Sequence, residues 1–235
     1  MSSTISKSAL LKGMRHGLPF MLVVAPFGLL FGVVATEAGL NIAQTMGLTI
    51  LVIAGAAQFT AVQLLVENAS VFLVLAASLG VNLRNAMYSA ALVPHLGAAP
   101  LWQRALAGFF TFDQNYAASA LEYETHPEMT VAEKIAYHLG LAAVIAPTWY
   151  SSTFVGAVAG TAIPPEFALD FAVPLMFIAL VAPAIRRPAH VAAAVTSVVV
   201  ALLTVALPSG VGILLAGIAG MIVGARVELW QDRAT

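Results

Sequence analysis

Apolar stretches long enough to cross a lipid bilayer recur along this 235-residue chain and leave little sequence between them. At roughly 20 residues per spanning helix, about eight spans would use about 160 residues, which leaves too few for a separate soluble domain. Charged residues make up only 9% of the chain, whereas soluble domains carry about 25%. The sequence predicts an all-α, polytopic transmembrane helix bundle forming a single domain over residues 1–235. The predicted spans are Leu18–Ala35, Met46–Val66, Val71–Val93, Leu101–Leu121, Ala136–Gly160, Phe167–Ile185, Ala189–Leu207 and Gly210–Ala225.

The apolar stretches favour helices over barrel strands because they are continuously apolar, whereas membrane strands alternate polar and apolar residues. A helix also satisfies its own backbone hydrogen bonds in lipid. Seven spans, or a re-entrant segment near Glu67, remain alternatives to eight. The first stretch exceeds the usual length of a signal-peptide core, so we expect it to be an uncleaved span.

The cationic residues indicate the orientation of the chain. With eight spans, the Lys and Arg residues before the first span, after the sixth and after the eighth all lie on one side, whereas seven spans would split them. The positive-inside rule then predicts that both termini are cytoplasmic. Residues 1–17 become a cytoplasmic N-terminal segment, and residues 122–134 become a short acidic cytoplasmic loop.

Several classes of function lack the residues that they need. Ten scattered Lys and Arg residues and a net charge of -1 give no basic patch, which argues against nucleic acid as a partner. The chain has no cysteine, and its five histidines form no metal-binding spacing. Nucleotide-binding loops and nucleophile elbows are also missing. We therefore expect no metal, no cofactor, no catalytic residues and no ATP hydrolysis within this chain.

Few charged residues lie inside predicted spans, where each costs about 2.5 to 3.5 kcal/mol to insert, and Arg84 and Asp113 stand out among them. Arg84 lies ten residues before Pro94, and Asp113 lies twelve residues after Leu101. At 1.5 Å per residue, both fall roughly 15 to 18 Å below the same turn, so they can be neighbours. An ion pair that only joins two helices is one explanation of this arrangement.

The surrounding polarity favours a substrate pathway instead. Asn82, Asn85 and Tyr88 accompany Arg84, and Gln114 follows Asp113. A free amino acid carries one positive and one negative end, which this pair can complement while apolar walls select the side chain. Desolvation and the neighbouring guanidinium act in opposite directions on protonation of the carboxyl, so proton coupling stays open.

Two further candidates lie in other spans. Gln58 follows the small-residue segment 54–57 and either forms hydrogen bonds that hold two helices together or contacts the substrate. Trp149 lies in the segment 147–153, where a proline frees a carbonyl and the hydroxyl groups either rebond the backbone or line a cavity.

Four segments carry a family resemblance: AGAAQF at 54–59, VNLRNAMYSAALVPHL at 81–96, FFTFDQNYA at 109–117 and LDFAVPLMFIALVAP at 169–183. In order and over nearly the whole chain, they resemble the AzlC family, the large subunits of two-component branched-chain amino acid exporters. The resemblance implies a multi-pass protein of the bacterial cytoplasmic (inner) membrane that works with a small hydrophobic AzlD-like subunit. It places the family's Asn-Leu-Arg segment on residues 82–84 and its acidic segment on Asp113.

One departure affects what the resemblance implies. Many family members have Asp-Glu where this chain has Asp113 and Gln114. Losing the second carboxylate leaves both proton coupling and the identity of the amino acid open. Two other classes of function remain as alternatives: the permease subunit of an ATP-driven amino acid transporter, and an intramembrane enzyme that uses Asp113, with Asp170 as a second acid.

Overall fold

The computed structural model describes residues 6–161, 185, 187–205, 207 and 211–234. Within these ranges the chain forms α-helices joined by short turns and contains no strand, which confirms the all-α prediction for this part of the chain. The helices are α1 (Lys7–Gly17), α2 (Met21–Glu37), α3 (Ile42–Leu51), α4 (Gly55–Val66), α5 (Val71–Leu96), α6 (Leu101–Phe109), α7 (Asp113–Thr125), α8 (Val131–Gly160), α9 (Pro188–Leu203) and α10 (Val211–Ala234).

Four stretches of helix are long and apolar enough to cross a membrane, counted over the described residues. They are Lys7–Glu37, Val71–Leu96, Val131–Gly160 and Val211–Gln231. The first joins α1 to α2 through a short 3-10 turn at Leu18–Phe20. The predicted seventh span is the shorter apolar helix α9, and the predicted sixth span, with Asp170, lies outside the described residues.

The second and fourth predicted spans are not continuous helices. The second breaks at residues 52–54 between α3 and α4, and the fourth breaks at residues 110–112 between α6 and α7. The backbone at Val52 and at Phe112 is extended. Hydropathy measures only how apolar a stretch is, so it does not show that the hydrogen-bond ladder stops within it. Broken helices of this kind are common at the binding sites of secondary transporters.

Helices extend into both of the segments that were predicted outside the spans. The N-terminal segment 1–17 contains α1. The acidic loop expected at 122–134 is shorter, because α7 continues to Thr125 and α8 begins at Val131. The Thr130 and Glu133 side chains form a reciprocal capping box that fixes the start of α8.

The chain divides into two compact units, the first comprising Met1–Phe59 and Leu79–Ile163. In this unit α8 packs against α1, α2, α3, α6 and α7. Glycines permit the closest approaches: a methyl group at Gly156 would overlap the Leu29 carbonyl, and one at Gly32 would overlap the Thr153 carbonyl. Small residues therefore bring two backbones together, as expected between membrane helices.

The second unit comprises Thr60–Ser78 and Pro164–Thr235. Its described part contains α9 packed against α10, where the Ser197 hydroxyl donates a hydrogen bond to the Ala216 carbonyl at 3.1 Å. A small apolar cluster joins Leu64, Val74 and Ala77, with Leu214 packed against it.

Candidate functional site

Arg84 and Asp113 form an ion pair in which Arg84 Nη1 lies 3.1 Å from Asp113 Oδ2. Arg84 lies in the middle of α5, and Asp113 is the first residue of α7, directly after the helix break. Their side chains are 33% and 44% exposed within the chain. The structure confirms the predicted proximity and adds that the acid sits at a helix start.

The ion pair leaves much of its hydrogen-bonding capacity unused. Arg84 Nε and Asp113 Oδ1 are buried and have no hydrogen-bond partner among the described residues, and the same holds for Oδ1 of Asn82 and of Asn85. Buried polar atoms are nearly always paired, so the unpaired atoms at this ion pair need a partner, and a bound ligand can supply it. The unpaired atoms are thus one donor, on Arg84, and three acceptors, on Asp113, Asn82 and Asn85.

Two tyrosines stack beside this pair. The rings of Tyr88 and Tyr116 lie 4.3 Å apart at an angle of 10°. Tyr88 lies one turn after Arg84 on α5, Tyr116 lies one turn after Asp113 on α7, and the Tyr88 hydroxyl interacts with the Asp113 carboxylate. The stack therefore forms an aromatic wall that fixes α5 against the first turn of α7.

Gln114 occupies a different face of α7 from Asp113. Adjacent residues on a helix do not face each other, so Gln114 does not share the side of Asp113 that meets Arg84. Its side chain is half-buried.

Gln58 and Trp149 meet at the other break, between α3 and α4. The Gln58 amide donates to the Val52 carbonyl at 2.5 Å and to the Thr49 hydroxyl at 3.2 Å, and Trp149 Nε1 donates to the same hydroxyl at 2.9 Å. Phe31 stacks on Trp149, with ring centroids 6.1 Å apart. Within the described part of the chain, these two predicted site residues gather at this break and not at the ion pair.

A buried histidine that sequence reasoning set aside holds the second break. His138 is fully buried on α8, with its Nδ1 2.9 Å from the Ser119 hydroxyl and its Nε2 3.2 Å from Asn115 Nδ2. Asn115 also donates to the Phe110 carbonyl at 2.6 Å. The sequence carried one signal for this contact, because His138 is a polar residue within a predicted span. Its position near the start of that span, Ala136–Gly160, is equally typical of a residue at the membrane interface.

A second group of charges gathers where α1 meets α7. The buried Glu122 carboxylate bonds Lys12 Nζ and lies 3.3 Å from His126 Nδ1 and 3.9 Å from His16 Nδ1. His16 also contacts the Tyr137 hydroxyl at 2.8 Å. Glu122 is the first residue of the loop predicted at 122–134, but it lies within α7, where its carboxylate ties α1 to α7 through Lys12.

Comparison with known proteins adds independent information. The model of the AzlC protein family matches residues 19–163, which is more than half of the chain. An uncharacterized membrane protein of Archaeoglobus fulgidus is 28% identical over 225 residues, covering 92% of this chain and 95% of that protein. No solved structure matches the chain. Together with the apolar helices, these similarities identify a multi-pass membrane protein.

Proposed function

Because the chain belongs to the AzlC family, we propose that it is the large subunit of a secondary transporter that exports small neutral amino acids. Branched-chain amino acids are the first candidates, since exporters of these compounds define the family. We place the protein in the bacterial cytoplasmic membrane with both termini in the cytoplasm. Its role is transport and not catalysis.

The observation that carries this proposal is the ion pair between Arg84 and Asp113, with its unused buried donors and acceptors. A zwitterionic amino acid presents a carboxylate to the guanidinium and an ammonium group to the carboxylate. When the pair opens, the substrate carboxylate replaces Asp113 as the partner of Arg84, and the substrate ammonium replaces Arg84 as the partner of Asp113. The pair can therefore open without leaving an unpaired charge in the membrane.

Opening of the pair also suggests how transport proceeds. The ion pair joins α5 to α7, and α7 begins at a helix break, where no continuous hydrogen-bond ladder holds α6 and α7 in line. Substrate that binds better to the open pair shifts the population toward the conformation in which α5 and α7 separate. Asn82, Asn85 and Tyr88 then offer further contacts along the pathway.

The family resemblance suggests the partner and leaves the coupling ion open. We propose that a small hydrophobic AzlD-like subunit, encoded separately, completes the transporter. A chain with Gln114 in place of the usual second acid couples export to protons through Asp113 alone or uses another ion.

Inside-out membrane vesicles test the proposal directly. The vesicles contain the full chain with its small hydrophobic neighbour, and uptake of labelled leucine, valine, methionine and alanine is measured without ATP. We expect uptake of at least one amino acid, lowered about tenfold or more in Arg84→Ala and Asp113→Asn at equal expression. Unchanged uptake in both variants would contradict the proposal, and uptake that requires ATP would favour a permease of an ATP-driven transporter.

A further inference from the structure

A cavity of about 200 Å³ lies between α5 and α6. It is smaller than the roughly 300 to 1,000 Å³ of clefts that hold drug-sized ligands, so it suits a molecule of amino-acid size. Its walls include Leu92 and Leu96 from α5 and Ala107 and Gly108 from α6.

The cavity adjoins the ion pair along both of the helical segments that hold it. Ser89, which lines the cavity, follows Arg84 by five residues on α5. Thr111, which also lines it, precedes Asp113 by two residues in the break between α6 and α7. The cavity thus lies between the ion pair and the end of α5 near Pro94, along the same two segments of chain.

The polar groups of the cavity match those of an amino acid. Arg104 lines it, is exposed, and forms no ion pair within the described part of the chain. The Thr111 hydroxyl donates its hydrogen to the Ala107 carbonyl at 2.8 Å and lies 3.4 Å from His138 Nε2, so one lone pair of its oxygen is left to accept. Ser89 supplies a second hydroxyl. The cation complements a carboxylate, and the two hydroxyl oxygens complement an ammonium group. The apolar wall complements an aliphatic side chain.

We propose that this cavity is a second amino-acid subsite, which the substrate occupies after it leaves the Arg84 and Asp113 pair. Arg104 binds the carboxylate, Ser89 and Thr111 accept hydrogen bonds from the ammonium group, and Leu92 and Leu96 contact the aliphatic side chain. This inference rests on the proposed function and specifies the exit route of the same substrate.

Gly108 lines the cavity at a position where a larger side chain meets no neighbouring atom at its Cβ. A Cβ atom at Gly108 meets nothing within 4 Å, so the side chain of Gly108→Val extends into open space. Gly47, on α3, has equally free surroundings and does not line the cavity, which makes Gly47→Val the matched control. In the vesicle assay we expect Gly108→Val to lower the initial rate of leucine transport about tenfold and Gly47→Val to leave it unchanged.

Arg104→Gln provides a second variant at an exposed position, where folding is little affected. We expect a similar fall in rate, with partial rescue by Arg104→Lys, which keeps the charge but loses the planar fork. Binding of labelled leucine to the purified transporter in lipid nanodiscs should remain in all these variants, since the ion pair is intact. Parental transport rates in both Gly108→Val and Arg104→Gln would overturn the subsite.

An anionic lipid offers the same chemistry, an anion next to an apolar chain, and the experiment separates the two sources. If Gly108→Val and Arg104→Gln lower the amount of copurifying anionic lipid without changing transport, the cavity is a lipid site and the inference is wrong. Failure of the proposed function gives a different pattern, in which Arg84→Ala and Asp113→Asn transport leucine as the parent does.

Discussion

Asp113 is the first residue of α7, so the position of its carboxylate depends on where that helix begins. The helix start also directs the positive end of the helix dipole toward the acid. Arg84 contacts the carboxylate from α5, and the Tyr88 hydroxyl contacts it one turn farther along the same helix. One acid thus links a helix break to two side chains of a neighbouring helix.

The stacked tyrosines allow the hydroxyl contact to be separated from the aromatic wall. Tyr88→Phe keeps the stack with Tyr116 but removes the hydroxyl next to Asp113. A hydrogen bond to a charged group contributes about 1.5 to 3 kcal/mol, so we expect the substrate KM to rise about tenfold or more. Tyr116→Phe is the control in the same stack and should transport like the parent. Equal KM values in both variants would show that the Tyr88 hydroxyl has no part in binding.

Gln114 permits a test of proton coupling. Gln114→Glu restores the acidic pair that many family members carry, on a face of α7 adjacent to that of Asp113. We expect the initial rate of export to depend more steeply on pH in this variant than in the parent, because a second titratable group enters the pathway. The measurement is the rate of leucine uptake into inside-out vesicles between pH 5 and pH 8. Identical pH profiles would place position 114 outside the pathway.

At the scale of helices, the two breaks share one construction. In each, an amide side chain from the second half-helix reaches back to a carbonyl freed at the end of the first: Gln58 to Val52 and Asn115 to Phe110. A residue of α8 then contacts each junction, Trp149 through Thr49 and His138 through Asn115. These bonds satisfy the carbonyl groups that a break would otherwise leave unpaired in the membrane.

Removing one of these amides should destabilise its break. Asn115→Leu leaves the Phe110 carbonyl without its donor, which costs about 1 to 3 kcal/mol for a buried group. We expect a lower Tm of the purified transporter and a lower rate of export, since Asp113 lies two residues away. Ala117→Leu, at an exposed position on the same helix, should have the parental Tm. A parental Tm for Asn115→Leu would mean that the break holds without this bond.

Sequence reasoning found the ion pair because both residues could be counted from the same turn. Arg84 and Asp113 lie on consecutive helical segments joined by a short connection, so their depths follow from the rise per residue. Counting along the chain does not bring Gln58 and Trp149 together, because their contacts depend on a break that apolar composition hides. It does not show the burial of His138 and Glu122 either, because that burial depends on how α8 and α1 pack, and packing between distant segments leaves no periodic signal.

At the scale of the molecule, α8 organises the first unit, and glycines set its distance from α2. Any side chain at Gly156 would overlap the backbone at Leu29. Because α2 and α8 pack closely, we expect them to act as one rigid support for the breaks that pack against α8.

Gly156→Ala tests this rigid support. The added methyl group must push α2 away, and overpacking of this kind costs about 1 to 3 kcal/mol. We expect a reduced Tm of the purified protein, measured by thermal unfolding in detergent. Gly217→Ala is the control, because a Cβ atom there meets nothing within 4 Å. An equal Tm for both variants would show that the close contact between α2 and α8 does not support the fold.

The central claim is that Arg84 and Asp113 recognise the two charges of one substrate, and competition binding measures this most directly. Labelled leucine bound to the transporter in nanodiscs is displaced by leucine, by 3-methylbutylamine, which lacks the carboxylate, and by 4-methylpentanoate, which lacks the amine. The parent should bind leucine more tightly than either analogue. Arg84→Gln should bind 3-methylbutylamine as well as leucine, because it has lost the group that binds the carboxylate. Asp113→Asn should bind 4-methylpentanoate as well as leucine, because it has lost the group that binds the ammonium. The same order of preference in the parent and both variants would contradict the claim.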